Sequence, residues 1–304
     1  MRENLSVLRR SLVLALYNDL IETMENSMKS FSKSHRKIAK FFIDNYAKAA
    51  YMTASELGAA VGVSESTVVR FATEMGCNGY PEFQSQVREN VKMRLTSVQR
   101  VDEANGRMEG RDVLEMILTA DMERIKSTLA TVDRKDFVAA IDMMLQAKNI
   151  YILGMRASAM LADYMRYYFA LLFDNVKVIQ PTGGSEIFEN LLKIREGDVF
   201  IAISFPRYTK RIVNATEYAS KAGAKVIALT DSRYSPIVPH SDFALLAKSE
   251  MASFADSLVA PMSLINAMIA YIGKIKHEQV TETLGKLEQV WKEYDVYTSF
   301  RDDK

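Results

Sequence analysis

With 304 residues, 48% of them apolar, the chain is long enough for two domains with ordinary cores. Lys and Arg number 39 against 38 Asp and Glu, so a nucleic-acid partner would have to be met by a local surface rather than by overall charge. The single cysteine, Cys77, excludes an internal disulfide framework and a multi-cysteine metal site, and suits a reducing compartment.

The opening stretch MRENLSVLRRSLVLALYNDL carries only LVLAL as an apolar core. That is too short for an export signal, and no small-residue cleavage site follows it. The longest apolar stretch, residues 258–273, is interrupted by Pro261, Ser263 and Asn266. It falls short of the roughly 20 apolar residues of a membrane span and is expected as a buried helix. These features predict a cytoplasmic protein without membrane association.

Residues 1–92 are predicted to be helical. Ile38, Phe41, Phe42 and Tyr46 recur at helical spacing, and nothing alternates with period two. Lys33, Arg36, Lys37 and Lys40 lie beside that stripe. They fit a basic face along phosphates, and equally an ordinary solvated helix face. TASE, residues 53–56, predicts a capping box opening a helix that runs to Val61. Gly62 permits the left-handed backbone of a sharp reversal, Val63 can plug the angle, and Ser64 caps a second helix.

In that second helix Val68, Phe71, Ala72 and Met75 share an inward face. Glu65, Ser66, Val69, Arg70 and Thr73 point outward, with Thr67 at the edge. Short hydroxyl side chains and one arginine suit a helix whose first turns approach base edges closely. Spacing alone fits a helical hairpin packed into a core equally well.

Residues 94–112 are polar and contain Gly106 and Gly110, which predicts a linker over 93–113. Two amphipathic helices follow, over 114–132 and 135–147. Short apolar runs at 149–154, 175–180, 198–204, 224–230 and 242–247 then alternate with helical or loop sequence. DVFIAIS and KVIALT are apolar on both faces, as strands between two helix layers must be. This grammar predicts a doubly wound parallel sheet over residues 114–304, with Gly223 ending one helix and a last helix at 281–297. The expected architecture is an all-α helix-turn-helix domain followed by an α/β doubly wound domain.

In such a sheet, ligands sit beyond the carboxyl ends of the strands. Two junctions, ILGMRASAMLA and AISFPRYTKRI, place Ser158 and Thr209 near helix starts, where a hydroxyl either binds an anion or simply caps. Gly183, Gly184, Ser185 and Glu186 form another loop at the same edge. Glu186 either accepts from ligand hydroxyls or serves its own helix as a first-turn acid.

The stretch from SFSKSHRK through MTASELG, GVSESTVVRF and GCNGYPEF resembles the N-terminal domain of RpiR/MurR-type bacterial transcriptional regulators. The resemblance implies DNA binding by this domain, and a following sugar-isomerase (SIS) domain that typically binds phosphosugars. SIS loops usually read G-x-G-x-S and S-x-S-G-x-T. Gly154 and Ser158 match the first, while Arg156 replaces its second glycine. Ser204 and Thr209 match the second, while Pro206 and Arg207 replace its Ser-Gly pair. Each change removes backbone freedom, Pro206 also removes an amide donor, and both bring an arginine toward the expected anion. Two readings stay open: Arg156 and Arg207 grip an anion of different shape, or they fill the pocket of a domain that only assembles subunits.

The expectation is therefore a regulator that is not an enzyme and uses no cofactor or metal. Ser64, Ser66, Thr67 and Arg70 are expected to contact double-stranded DNA, with Lys37 and Lys40 on phosphates. Gly154, Arg156, Ser158, Glu186, Ser204, Arg207 and Thr209 are expected to meet a small anionic metabolite. A homodimer or homotetramer on a roughly palindromic operator follows. One competing reading is a sugar-phosphate isomerase with a helical extension, its base drawn from Glu186, Glu250, His240 or His277. Another is a DNA-binding protein whose second domain is purely structural.

Overall fold

The computed structural model describes residues 20–94, 96–180, 186–251 and 253–297. The first part is built from α1 (Leu20–Ser27), α2 (Lys33–Asp44), α3 (Tyr46–Ala49), α4 (Ala54–Val61), α5 (Glu65–Glu74) and α6 (Tyr80–Arg94). Local chemistry sets these boundaries. Ser32 caps α2 by accepting from the His35 amide at 3.2 Å. The Glu56 amide donates to Thr53 Oγ1 at 3.2 Å, while the Thr53 amide donates to Glu56 Oε2 at 2.7 Å, so the capping box opens α4. Those bonds from Thr53 hold the Glu56 carboxyl below its ordinary range. Gly62, at φ 71°, ends α4 in the left-handed region, and Ser64 restarts the chain as the cap of α5.

The inward face of α5 organises this domain's core. Val68, Phe71 and Ala72 are fully buried. Phe71 meets Phe31 and Phe83 edge-on at 5.4 and 5.6 Å, and Phe83 meets Phe42 at 5.1 Å. Cys77 is buried and unpaired with another cysteine. Burial first, and the Glu82 carboxylate second, push its thiol up to about 11.

The polar stretch expected as a linker is largely helical. It forms α7 (Ser97–Met108), opened by a capping box between Thr96 and Gln99. Arg100 and Ala104 of this helix are buried. Across the domains, the Tyr234 hydroxyl donates to Glu82 Oε1 at 2.8 Å.

The second part runs α8 (Val113–Thr131), α9 (Arg134–Leu145), β1 (Ile150–Gly154), α10 (Ala157–Leu172), β2 (Val176–Val178), α11 (Glu186–Leu191), β3 (Val199–Ile203), α12 (Lys210–Lys221), β4 (Lys225–Thr230), β5 (Phe243–Leu246), α13 (Val259–Ile275) and α14 (His277–Glu293). All pairings in the sheet are parallel, in the order β2-β1-β3-β4-β5. Every residue of β1 and β3 is buried. Ile150, Ile152, Ile201 and Ile203 face a core shared with α9, α10 and α13, whereas Tyr151, Leu153, Phe200 and Ala202 face α11 and α12. Helices thus cover both faces, which is why these strands are apolar throughout. The helix expected at residues 258–273 is α13, which buries Leu264, Ile265, Met268 and Ile272 on one face. Among the described residues no helix is long and apolar enough to cross a membrane.

Because Phe71 sits at the centre of three interlocking rings, Phe71→Ala is expected to destabilise the helical domain by about 3–5 kcal/mol. Denaturant unfolding of the full chain measures this, and Phe71→Leu, which keeps most of the buried volume but loses the edge-on ring contacts, is expected to cost clearly less.

Candidate functional site

Two surfaces gather the residues that the sequence singles out. On the first, Ser64, Ser66 and Arg70 are exposed along α5, and Thr67 is half-buried. The hydroxyls are tied to one another. Ser64 Oγ lies 2.9 Å from Ser66 Oγ and 2.8 Å from Thr67 Oγ1, and accepts from the Thr67 amide at 3.3 Å. Arg70 Nε donates back to the Ser66 carbonyl at 3.3 Å, which lays the guanidinium along the helix start. Glu65, Val69 and Thr73 complete the exposed face.

The packing behind α5 keeps this face in place. His35 Nδ1 of α2 pairs with the Glu74 carboxylate at the end of α5, and the His35 ring rests edge-on against Phe71 at 5.5 Å. Lys33, Lys37 and Lys40 are exposed on α2. Arg36 is exposed too, but its Nε donates to the Phe31 carbonyl at 2.8 Å, so it serves α2 structurally.

The second surface is a cavity of about 510 Å³ at the carboxyl ends of β1 and β3. It lies where the sheet order turns: α10 leaves β1 toward one face and α12 leaves β3 toward the other, opening a crevice between them. Arg156, Ser158, Ser204, Arg207 and Thr209 all line it. Arg156 holds φ 58° at the position of the loop pattern's second glycine. Backbone in that region disfavours a side chain by about 1–3 kcal/mol, so the surrounding fold must enforce it. Ser158 and Ser204 are only 7% and 3% exposed, yet their hydroxyls make no hydrogen bond among the described residues, and both border the cavity. Thr209 caps α12, accepting from the Ile212 amide at 3.4 Å. The charged groups of the lining are Arg100, Arg156, Arg207 and Asp256, three guanidinia against one carboxylate.

Two of the expected ligand residues stand apart from this lining. Gly154 is buried at the end of β1, where a Cβ would collide with the Ser158 carbonyl oxygen. Its lack of a side chain lets α10 close onto the strand. Glu186 opens α11 and does not border the cavity. Gly183, Gly184 and Ser185 lie outside the described residues. Of the candidate bases, His240 ends a short turn after β4 and His277 opens α14, and neither borders the cavity. Glu250 lines an adjoining cleft instead. Sequence reasoning missed Ser97, Arg100 and Asp256. The signal for the first two was present: T-S-V-Q at 96–99 is itself a capping box, which marks a helix inside the supposed linker.

Comparison with known proteins places both halves. Residues 18–93 match the model of the helix-turn-helix domain of the rpiR family, and residues 143–271 match the SIS domain. An uncharacterized HTH-type transcriptional regulator of Caldanaerobacter subterraneus is 26% identical over 280 residues, covering 90% of this chain and 96% of that protein. The HTH-type transcriptional regulator HexR of Pseudomonas aeruginosa is 27% identical over 218 residues, covering 70% of this chain and 73% of its own. Among solved structures, the sugar isomerase domain of an RpiR transcription factor from Sphaerobacter thermophilus superposes with a TM-score of 0.55 at 26% identity, covering 57% of this chain and 96% of that one. The Vibrio vulnificus NanR protein, complexed with ManNAc-6P, superposes with a TM-score of 0.59 over 92% of this chain and 100% of its own; at 21% identity this likeness is one of fold.

The contact between Gly154 and α10 leaves no room for a methyl group. Gly154→Ala is expected to cost about 1–3 kcal/mol by overpacking, measured as a lower thermal midpoint of the second domain in calorimetry.

Proposed function

Because this chain belongs to the RpiR-type transcriptional regulators, joining an rpiR-family helix-turn-helix domain to a SIS domain, we propose that it reads an operator with α5 and senses a small dianionic metabolite, a sugar phosphate or a related acid, in the cavity beyond β1 and β3. Ser64, Ser66, Thr67 and Arg70 meet the duplex, the arginine reaching base edges and the hydroxyls allowing close approach. Lys37 and Lys40 lie against phosphates. Two copies acting together read a roughly palindromic site in the cytoplasm. As a homodimer or homotetramer, the protein covers the row of Leu114, Leu118, Met122 and Leu129 that α8 leaves exposed.

The single observation that carries the ligand assignment is the charge of the cavity. Three guanidinia against one carboxylate leave an excess of two positive charges. A phosphate monoester near neutral pH carries about −1.5 to −2. Guanidinium forks bind such an anion in bidentate fashion, and the Ser158 and Ser204 hydroxyls, which have no partner among the described residues, add donors. A protein of like fold is solved with ManNAc-6P, which is a compound of this class. Binding is favoured over isomerisation because His240, His277, Glu186 and Glu250 lie outside the cavity lining. The one carboxylate that does line it, Asp256, is already paired with Arg100. A general base must reach the proton that it removes.

Two measurements test this reading. Genomic footprinting identifies the operator, and Arg70→Ala is then expected to weaken its binding by about 1–3 kcal/mol and to relax base preference at one position. Unchanged affinity and preference would remove Arg70 from the interface. A panel of sugar phosphates and inorganic phosphate is expected to raise the thermal midpoint, and Arg207→Ala to abolish the rise. No stabilisation by any anion would leave the second domain a structural one, and isomerase turnover of the same panel would restore the enzyme reading.

A further inference from the structure

The cavity has a wall that neither of its own loops supplies. Helix α7 lies over it, contributing Ser97, Arg100 and Val101 to the lining. Two polar links fasten the helix there. Arg207 Nη1 donates to Ser97 Oγ at 3.1 Å. Arg100 is 8% exposed, its Nη2 paired with the Asp256 carboxylate and its Nε directed at Met251 Sδ at 3.0 Å. On its far side, the same Arg100–Asp256 pair and Pro206 line a second cleft, of about 230 Å³, together with Tyr51, Arg88, Glu103 and Arg107. Arg88 belongs to α6 of the first domain, where its Nε donates to the Ala50 carbonyl at 3.0 Å and its guanidinium lies 5.5 Å from the Tyr51 ring centroid. One ion pair, its arginine buried and its carboxylate half-buried, therefore separates the cavity from the cleft that faces the DNA-reading domain.

We propose that α7 is part of the effector site: an anionic effector bridges Arg100 of α7 to Arg156 and Arg207 of the SIS domain, replacing Asp256 as the partner of Arg100, and so sets how the linker helix is held. The inference rests on the reading of the cavity as an effector site. Its physical basis is the competition for a buried guanidinium. Arg100 must keep a counter-charge, because a buried charge without one is strongly unfavourable. In the structure Asp256 supplies it. A phosphate group supplies it too, with more acceptor oxygens and more charge, and simultaneously answers the two arginines that Asp256 leaves unpaired with any carboxylate among the described residues. Ser158 and Ser204, buried in the same lining and without a hydroxyl partner among the described residues, fix where the anion sits. The exchange draws α7 against the SIS loops, and α6 of the DNA-reading domain ends just before α7 begins. The effector thereby biases the domain arrangement by the difference in its affinity for the two linker positions, and no further. Linkage requires the converse: operator DNA must change effector affinity by the same factor.

The test uses the full chain and inorganic phosphate, with binding read by calorimetry and α7 by hydrogen exchange of residues 97–108. Phosphate is expected to bind the parent chain and slow exchange in α7. Arg100→Gln is expected to weaken phosphate about tenfold and to abolish the slowing, while Asp256→Asn, which removes the competitor, tightens phosphate about tenfold. Should Arg100→Gln fail to fold, Asp256→Asn and the exchange of the parent chain decide alone. Phosphate binding with unchanged exchange in α7, or affinity unaltered by Asp256→Asn, overturns the role of the linker helix while leaving the effector site standing. Absence of phosphate binding to the parent chain and to both variants overturns the effector site itself.

Discussion

A parallel sheet buried on both faces must carry helices on both sides, and in this protein the cavity lies where the side changes. β1 and β3 are neighbours at the centre of the sheet, with every residue buried. Their following helices, α10 and α12, belong to different cores. Between the two departures the carboxyl ends of the strands are left uncovered, and the loops there need not satisfy a helix or a sheet. Arg156 and Arg207 sit on those loops, which is why two residues distant in sequence act in one place. The cavity's positive charge follows from where the sheet turns, since neither arginine is marked by the composition of its own segment.

The DNA-reading domain solves a different problem. A short helix is not stable alone and owes its order to packing. α5 is fastened from behind by Val68, Phe71 and Ala72, by the edge-on rings of Phe31 and Phe83, and by the His35–Glu74 contact at its end. Its front is thereby free to carry side chains chosen for a partner instead of for stability. The bonds among Ser64, Ser66 and Thr67 add local order at the end of the helix that would approach a duplex first.

Between the two lies α7, which joins both kinds of argument. As sequence it is polar, with an early capping box and Gly106 within it, and such a helix in isolation would be marginal. In the fold it is retained by Arg100, whose stem is buried and whose guanidinium is paired across the domains with Asp256. Such a pair contributes little net stability, but leaving the buried Arg100 charge without a partner is strongly penalised. The proposed exchange of Asp256 for an effector anion would draw on that property.

The sequence by itself determined the elements. The strand runs at 149–154, 198–204 and 224–230, the reversal at Gly62, and the caps Thr53 and Ser64 are dictated by side-chain period, backbone freedom and hydrogen bonds that reach three or four residues, so they are legible locally. It also marked Ser158, Ser204 and Thr209, which stand beside strand ends or helix starts, while Arg156 and Arg207 stood out only against the loop patterns of the SIS domains that the chain resembles. What only the tertiary structure decided is who shares the cavity. Gly154 packs behind it, Glu186 opens α11 away from it, and Arg100 and Asp256, 156 residues apart, close it. No local rule relates positions so far apart. Their meeting depends on how α7 docks beyond the carboxyl ends of β1 and β3, and docking is set by the shape and charge of surfaces that exist only after the domains have folded.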